Sequence, residues 1–108
     1  MRPLWLGLFV AASLSAAQGQ QTFTGVITDD MCPLGTHENM RMGPTDAECA
    51  KACVVAHGAA WVLADGATAY GLSDQKAPEA FAAKKVRVTG TLDPKTRLIQ
   101  VTAIAAVD

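Results

Sequence analysis

All three cysteines of the chain lie between residues 31 and 53, in the stretch MCPLGTHENMRMGPTDAECAKAC. Three of the four methionines and one of the two histidines lie there too. Thiolate, imidazole and thioether are ligands of soft and borderline metal ions. Cys49 and Cys53 stand four residues apart. On a helix that spacing puts both side chains on one face, with about 6 Å between their β-carbons. Two ligands at i and i+4 give the bidentate grip that paired histidines make on other helices. Cys32 and His37, from the segment ahead of the helix, would complete a Cys3His set, which suits tetrahedral zinc. Met40 and Met42 flank that set, and thioether beside thiolate shifts the choice towards Cu(I). The candidate ligands are therefore Cys32, His37, Cys49, Cys53 and Met40, with His57 as a spare on the helix line of Cys53. The candidate ions are zinc and copper.

The same cysteines could instead be a staple. A disulfide needs β-carbons nearer 4 Å than a regular helix gives at this spacing. Cys49 and Cys53 are thus not expected to bridge each other, whereas either could meet Cys32. Closing that loop would stabilise the fold by roughly 3 kcal/mol in the chain-entropy model. The third cysteine would then be a small buried apolar group. On this alternative the domain binds a protein or a small ligand and holds no metal. Each residue also has a plainer use. Met31, Met40 and Met42 could fill gaps under a long loop. His37 could be a surface residue, and His57 a helix-end residue that favours the dipole when charged.

Other chemistry fits poorly. Thiol–disulfide catalysis wants C-x-x-C at a helix start, and here the pair is C-x3-C inside the helix. Cys53 is followed by Val54, not by the histidine of a haem attachment site. No G-x-S-x-G, P-loop or HExxH occurs. The expectation is a binding module and not an enzyme.

The compartment follows from the first residues. Met1-Arg2 precedes the apolar run LWLGLFVAA, too short to cross a bilayer, and small residues follow it. Residues 1–19 read as a signal peptide and residues 20–108 as a single domain. Export to a periplasm or an extracellular space, which is oxidising, favours bridged over free cysteines. No later run is long and apolar enough for a membrane span. Between Thr22 and Gln75 seven acidic side chains stand against two basic ones. Between Lys76 and Arg97 six basic stand against two acidic. The acidic cysteine half would favour a cationic ligand. Nucleic acid is not an expected partner, because the aromatics Phe23, Trp61, Tyr70 and Phe81 read as core and are too few for a stacking platform.

The elements that must position these residues are mostly strands. Phe23 to Thr28 is the first, with Phe23, Gly25 and Ile27 on one face. Asp29 to Pro44 is a long loop broken by prolines and glycines. Thr45 with Glu48 three residues on is a capping box, and the helix it starts runs to about His57, with Gly58 as its C-terminal cap. Ala60–Ala64 and Thr68–Leu72 are strands joined by an Asp65-Gly66 hairpin turn. Pro78–Ala83 is a short helix. Lys85–Leu92 alternates, and after the turn Asp93-Pro94-Lys95-Thr96 the last strand runs from Leu98 to Ile104. Val86, Val88, Leu92, Ile99 and Val101 should be buried together, with Lys85, Arg87 and Thr91 in solvent. Five strands with a short helix between the third and fourth is the order of an OB-type barrel. The fold class expected is mainly β: a five-stranded OB-like barrel with a cysteine-bearing loop and helix inserted after strand 1.

Three motifs carry a resemblance. They are G-x-I-x-D-x-M-C at Gly25 to Cys32, followed by His37; D-x-E-C-x3-C at Asp46 to Cys53; and F-x-x-K-x-V-x-V-x-G-x-L from Phe81 to Leu92. With them the chain resembles a family of small exported bacterial OB-fold-like domains of uncertain function. The resemblance covers nearly all of residues 20–108. It implies the OB-like fold and no particular activity.

Overall fold

The computed structural model describes residues 19–33 and 43–107. Five strands lie within these residues: β1 (Gln21–Asp29), β2 (Trp61–Asp65), β3 (Thr68–Leu72), β4 (Lys85–Asp93) and β5 (Leu98–Ala106). One helix, α1 (Asp46–His57), lies between β1 and β2, and a 3-10 turn, Ala77–Phe81, precedes β4. The strands pair in the order β1-β2-β3-β5-β4, and β4 returns to β1 to close a barrel. The β3–β5 pair is parallel and all the others are antiparallel. This is the OB-like, mainly-β barrel expected, with the cysteine-bearing insertion after β1.

A five-stranded barrel is narrow, so its strands must bend sharply. β1 serves two neighbours. Residues 21–26 pair with β4, and residues 26–29 pair with β2. Gly25 sits at this hand-over, and a β-carbon there would run into the Ala64 carbonyl. Gly90 plays the same part in β4, beside a register shift at Thr89/Gly90. A side chain at Gly90 would collide with the Gln100 carbonyl. Such bulges and glycines are how small barrels turn their corners. Gly25→Ala should therefore destabilise the protein by about 1–3 kcal/mol, the usual cost of overpacking. Urea unfolding measures this, and an unchanged midpoint would mean that β1 does not bend here.

β4 alternates as its sequence suggests. Val86 and Val88 are fully buried, and Lys85, Arg87 and Thr91 are exposed. Ile27, Trp61, Leu63 and Ile99 join them in the core, with Ala50 contributed by α1. Leu92 and Val101 pack against this core but are only half-buried. The short helix expected over 78–83 is a 3-10 helix over Ala77–Phe81. Residues beyond it are drawn to β1: the Ala83 amide donates to the Ile27 carbonyl at 2.8 Å, and the Ile27 amide donates to the Lys84 carbonyl at 3.1 Å. Ala83 takes a left-handed φ of 64° to make this exit. At the other side of the ring the Gln75 side chain stands in for a strand partner. Its Oε1 accepts the Trp61 amide at 2.7 Å, and its Nε2 donates to the carbonyls of Trp61 and Leu72.

Candidate functional site

α1 is held at both ends by the expected devices. The Thr45 side chain accepts the Glu48 amide at 3.1 Å. Gly58, at φ 68°, ends the helix in the left-handed conformation and donates to the Val54 carbonyl at 3.1 Å. With both ends fixed, one face is committed to the protein interior: Cys49, Ala50 and Cys53 are its fully buried residues.

Cys32 is brought to the same end of the barrel by the end of β1. The Asp29 Oδ1 accepts the amides of Met31 and Cys32, each at 3.0 Å. The Thr28 hydroxyl donates to the Cys32 carbonyl at 3.0 Å. A second tie joins this turn to the chain leaving α1. Asp30 and Ala60 are tied twice there: the Asp30 amide donates to the Ala60 carbonyl at 2.9 Å, and the Ala60 amide donates to the Asp30 side-chain Oδ1 at 3.1 Å. The turn after β1 and the exit of α1 are thus locked together.

The Cys53 thiol is pushed up from 9.0 to about 11, first by burial, then by the charges of Asp29, Cys49 and Cys32. Its side chain also hydrogen-bonds Asp29. Cys53 therefore lies within electrostatic reach of both other cysteines and of one carboxylate. A raised thiol pKa favours the neutral form. Stability from this group is fully present below about pH 9 and is lost as pH rises through about 11. Thermal melting of the metal-free protein across that window should show a falling midpoint. Cys53→Ser should remove that part of the fall, and an equal fall in both proteins would assign it elsewhere.

Of the residues proposed from sequence, Cys32, Cys49 and Cys53 are buried, and Cys53 feels the charges of the other two. His37 and Met40 lie outside the described residues. His57 is exposed at the end of α1, and Met31 is also exposed. No disulfide joins the three cysteines. Among the described residues, no group of three or more His, Cys, Asp or Glu side chains stands in ready metal-holding geometry. Asp29 was not among the candidates, yet its carboxylate accepts the Cys32 amide and hydrogen-bonds the Cys53 side chain. The signal available was its place: a carboxylate at the last position of a strand, directly before a Met-Cys turn, is set to accept the next free amides. Among the described residues no helix is long and apolar enough to cross a membrane.

Comparison with protein-family models, with curated proteins and with solved structures finds no match. The class that fold and site define is a small OB-like barrel with a thiol-rich corner beneath an inserted helix.

Proposed function

We propose that this chain is an exported binding module, and not an enzyme, whose thiol-rich corner holds one soft metal ion, zinc or copper. The ligands are the thiolates of Cys32, Cys49 and Cys53, with His37 of the adjoining segment as the fourth donor and Met40 as a further candidate. One observation carries the reading: all the cysteines of the chain are buried, and Cys53 feels the charges of Cys32, Cys49 and Asp29. Clustered thiolates and a carboxylate repel each other until a cation lies among them. Three sulfurs leave one position of a tetrahedron for a donor from residues 34–42, in keeping with zinc at a Cys3His site. A thioether there would favour Cu(I).

A second reading is supported by the same burial. Cys32 bridged to Cys49 or to Cys53 would staple the turn after β1 to α1, and the domain would bind a protein or small ligand without metal. Thiol counting and elemental analysis separate the two readings. Protein purified from an oxidising compartment, denatured without reductant, should give three thiols and one equivalent of metal. One thiol and no metal would sink the metal reading in favour of the staple.

A further inference from the structure

β5 is paired along its whole length on one side only. Against β4 it pairs from Leu98 to Ala106. Against β3 it pairs at Leu98 and Ile99 alone. Ser73 extends that contact by one step: its amide donates to the Ile99 carbonyl at 3.0 Å, and its hydroxyl accepts the Val101 amide at 2.8 Å. Beyond Val101, nothing among the described residues pairs with this side of the strand. The other side fixes which backbone groups are left there. The Val107 amide donates to the Lys85 carbonyl at 3.0 Å, so residue 107 faces β4. Successive residues of a strand turn their amide and carbonyl to opposite sides. Ala105 therefore faces β4 as well, and Ile104 and Ala106 turn theirs to the open side. Such an edge is a template for another strand, and proteins usually blunt it with lysine or proline. Residues 98–106, LIQVTAIAA, contain neither, and no charge of either sign. Ala103, Ala105 and Ala106 are exposed and small enough to let a second strand close in.

We propose that the open edge of β5 pairs with the same edge of a second copy of this chain, antiparallel, about a two-fold axis at Ala105. The charge pattern selects this occupant. In a two-fold pair each residue near the axis meets its own kind, and like charges directly opposite are destabilising. An edge that pairs with itself must therefore be uncharged, and this one is. A strand from a different partner sets no such condition, because a charge on the edge could meet its opposite. The open groups fix the register. Ile104 of one copy exchanges amide–carbonyl bonds with Ala106 of the other, and the axis repeats the exchange. The two Ala105 residues then face each other as a non-hydrogen-bonded pair, with α-carbons about 4.5 Å apart. The β1-β4-β5 side of each barrel becomes half of one continuous sheet. The contact is short, so the dimer is weak and concentration-dependent. No cysteine takes part, and the proposal is independent of the metal reading.

Sedimentation equilibrium of the full-length processed protein, with reductant present to prevent cross-linking through cysteine, tests this. Between about 10 µM and 1 mM the average mass should rise towards that of two chains, as expected for a small interface. Amide exchange at Ile104 and Ala106 should slow over the same range. Two variants locate the contact. Ala106→Pro deletes the amide that faces the open side, where proline is tolerated, and leaves the bonds to β4 in place. It removes one bond per copy and should weaken association by about 10-fold or more. Ala105→Lys keeps an exposed position in the single chain but sets two lysines against each other at the axis. It should also weaken association by about 10-fold, and salt at about 1 M should restore most of that loss by screening, with no such rescue of Ala106→Pro. Urea unfolding should show both variants folded. Should Ala106→Pro not fold, Ala105→Lys and its salt rescue decide. A chain that stays single at about 1 mM overturns the proposal, and so does a dimer that the folded variants leave intact. Slow exchange at Ile104 and Ala106 at every concentration would mean that a different strand holds the edge, and would overturn it too.

Discussion

Cys53→Ser is expected to abolish metal uptake at micromolar ion concentrations, and Cys49→Ser to do the same. Each removes one thiolate from a set of three. A serine hydroxyl at neutral pH is neither charged nor soft, so it does not replace thiolate towards zinc or Cu(I). Both sulfurs lie on the buried face of α1, and a regular helix holds them at a fixed spacing. No neighbouring cysteine can move in, because Cys32 is already held by Asp29 and Thr28. His57→Ala should leave uptake nearly unchanged, since His57 is exposed while Cys53 is buried. Met40→Leu separates the ions: loss of Cu(I) affinity with zinc unaffected would place a thioether among the ligands. Competition titration gives all four results. Full uptake by Cys53→Ser would remove the helix face from the site.

Trp61→Ala should cost about 3–5 kcal/mol, the range for deleting a large aromatic from a packed core. Small domains are stable by only about 5–15 kcal/mol in total, so this variant should be close to unfolding at room temperature. The size of the effect follows from its position. Trp61 is fully buried, is paired with Asp29 across the β1–β2 ladder, and has both backbone groups clamped by Gln75. The cavity would open beside Asp29, so residual metal binding should weaken along with stability. Urea unfolding monitored by circular dichroism checks the first effect and metal titration the second. A cost below about 1 kcal/mol would contradict the packing described for the barrel.

Local signals were readable and spatial ones were not. The alternation in Lys85–Leu92 is strong because that strand has one wet face and one dry face. Thr45 and Gly58 mark the ends of α1 because unsatisfied helix termini demand particular residues. The barrel order followed from counting strands around the insertion. Thr28 shows where such reading stops. Alternation puts it on the face opposite Ile27, yet it is buried, because its hydroxyl is spent on the Cys32 carbonyl. Asp29 is the same lesson at the site. In Thr28-Asp29-Asp30-Met31 it looks like an ordinary turn residue, and only the approach of α1, whose Cys53 stands 24 positions on, brings its carboxylate to the site. The short helix before β4 is present as a 3-10 helix, Ala77–Phe81, and only its end was out of reach, since nothing local reveals that residues 82–84 will bond to β1.

The central claim is that the three cysteines form a metal site, and titration of the fully reduced protein tests it most directly. Zn(II) or Cu(I) added at micromolar levels, with protons and bound ion both counted, should give one equivalent bound per chain with release of protons from thiols. Uptake should weaken as the pH falls, because protons compete for the same sulfurs. If the reduced protein takes up neither ion, the cluster of Cys32, Cys49 and Cys53 is a structural staple and the site reading is wrong.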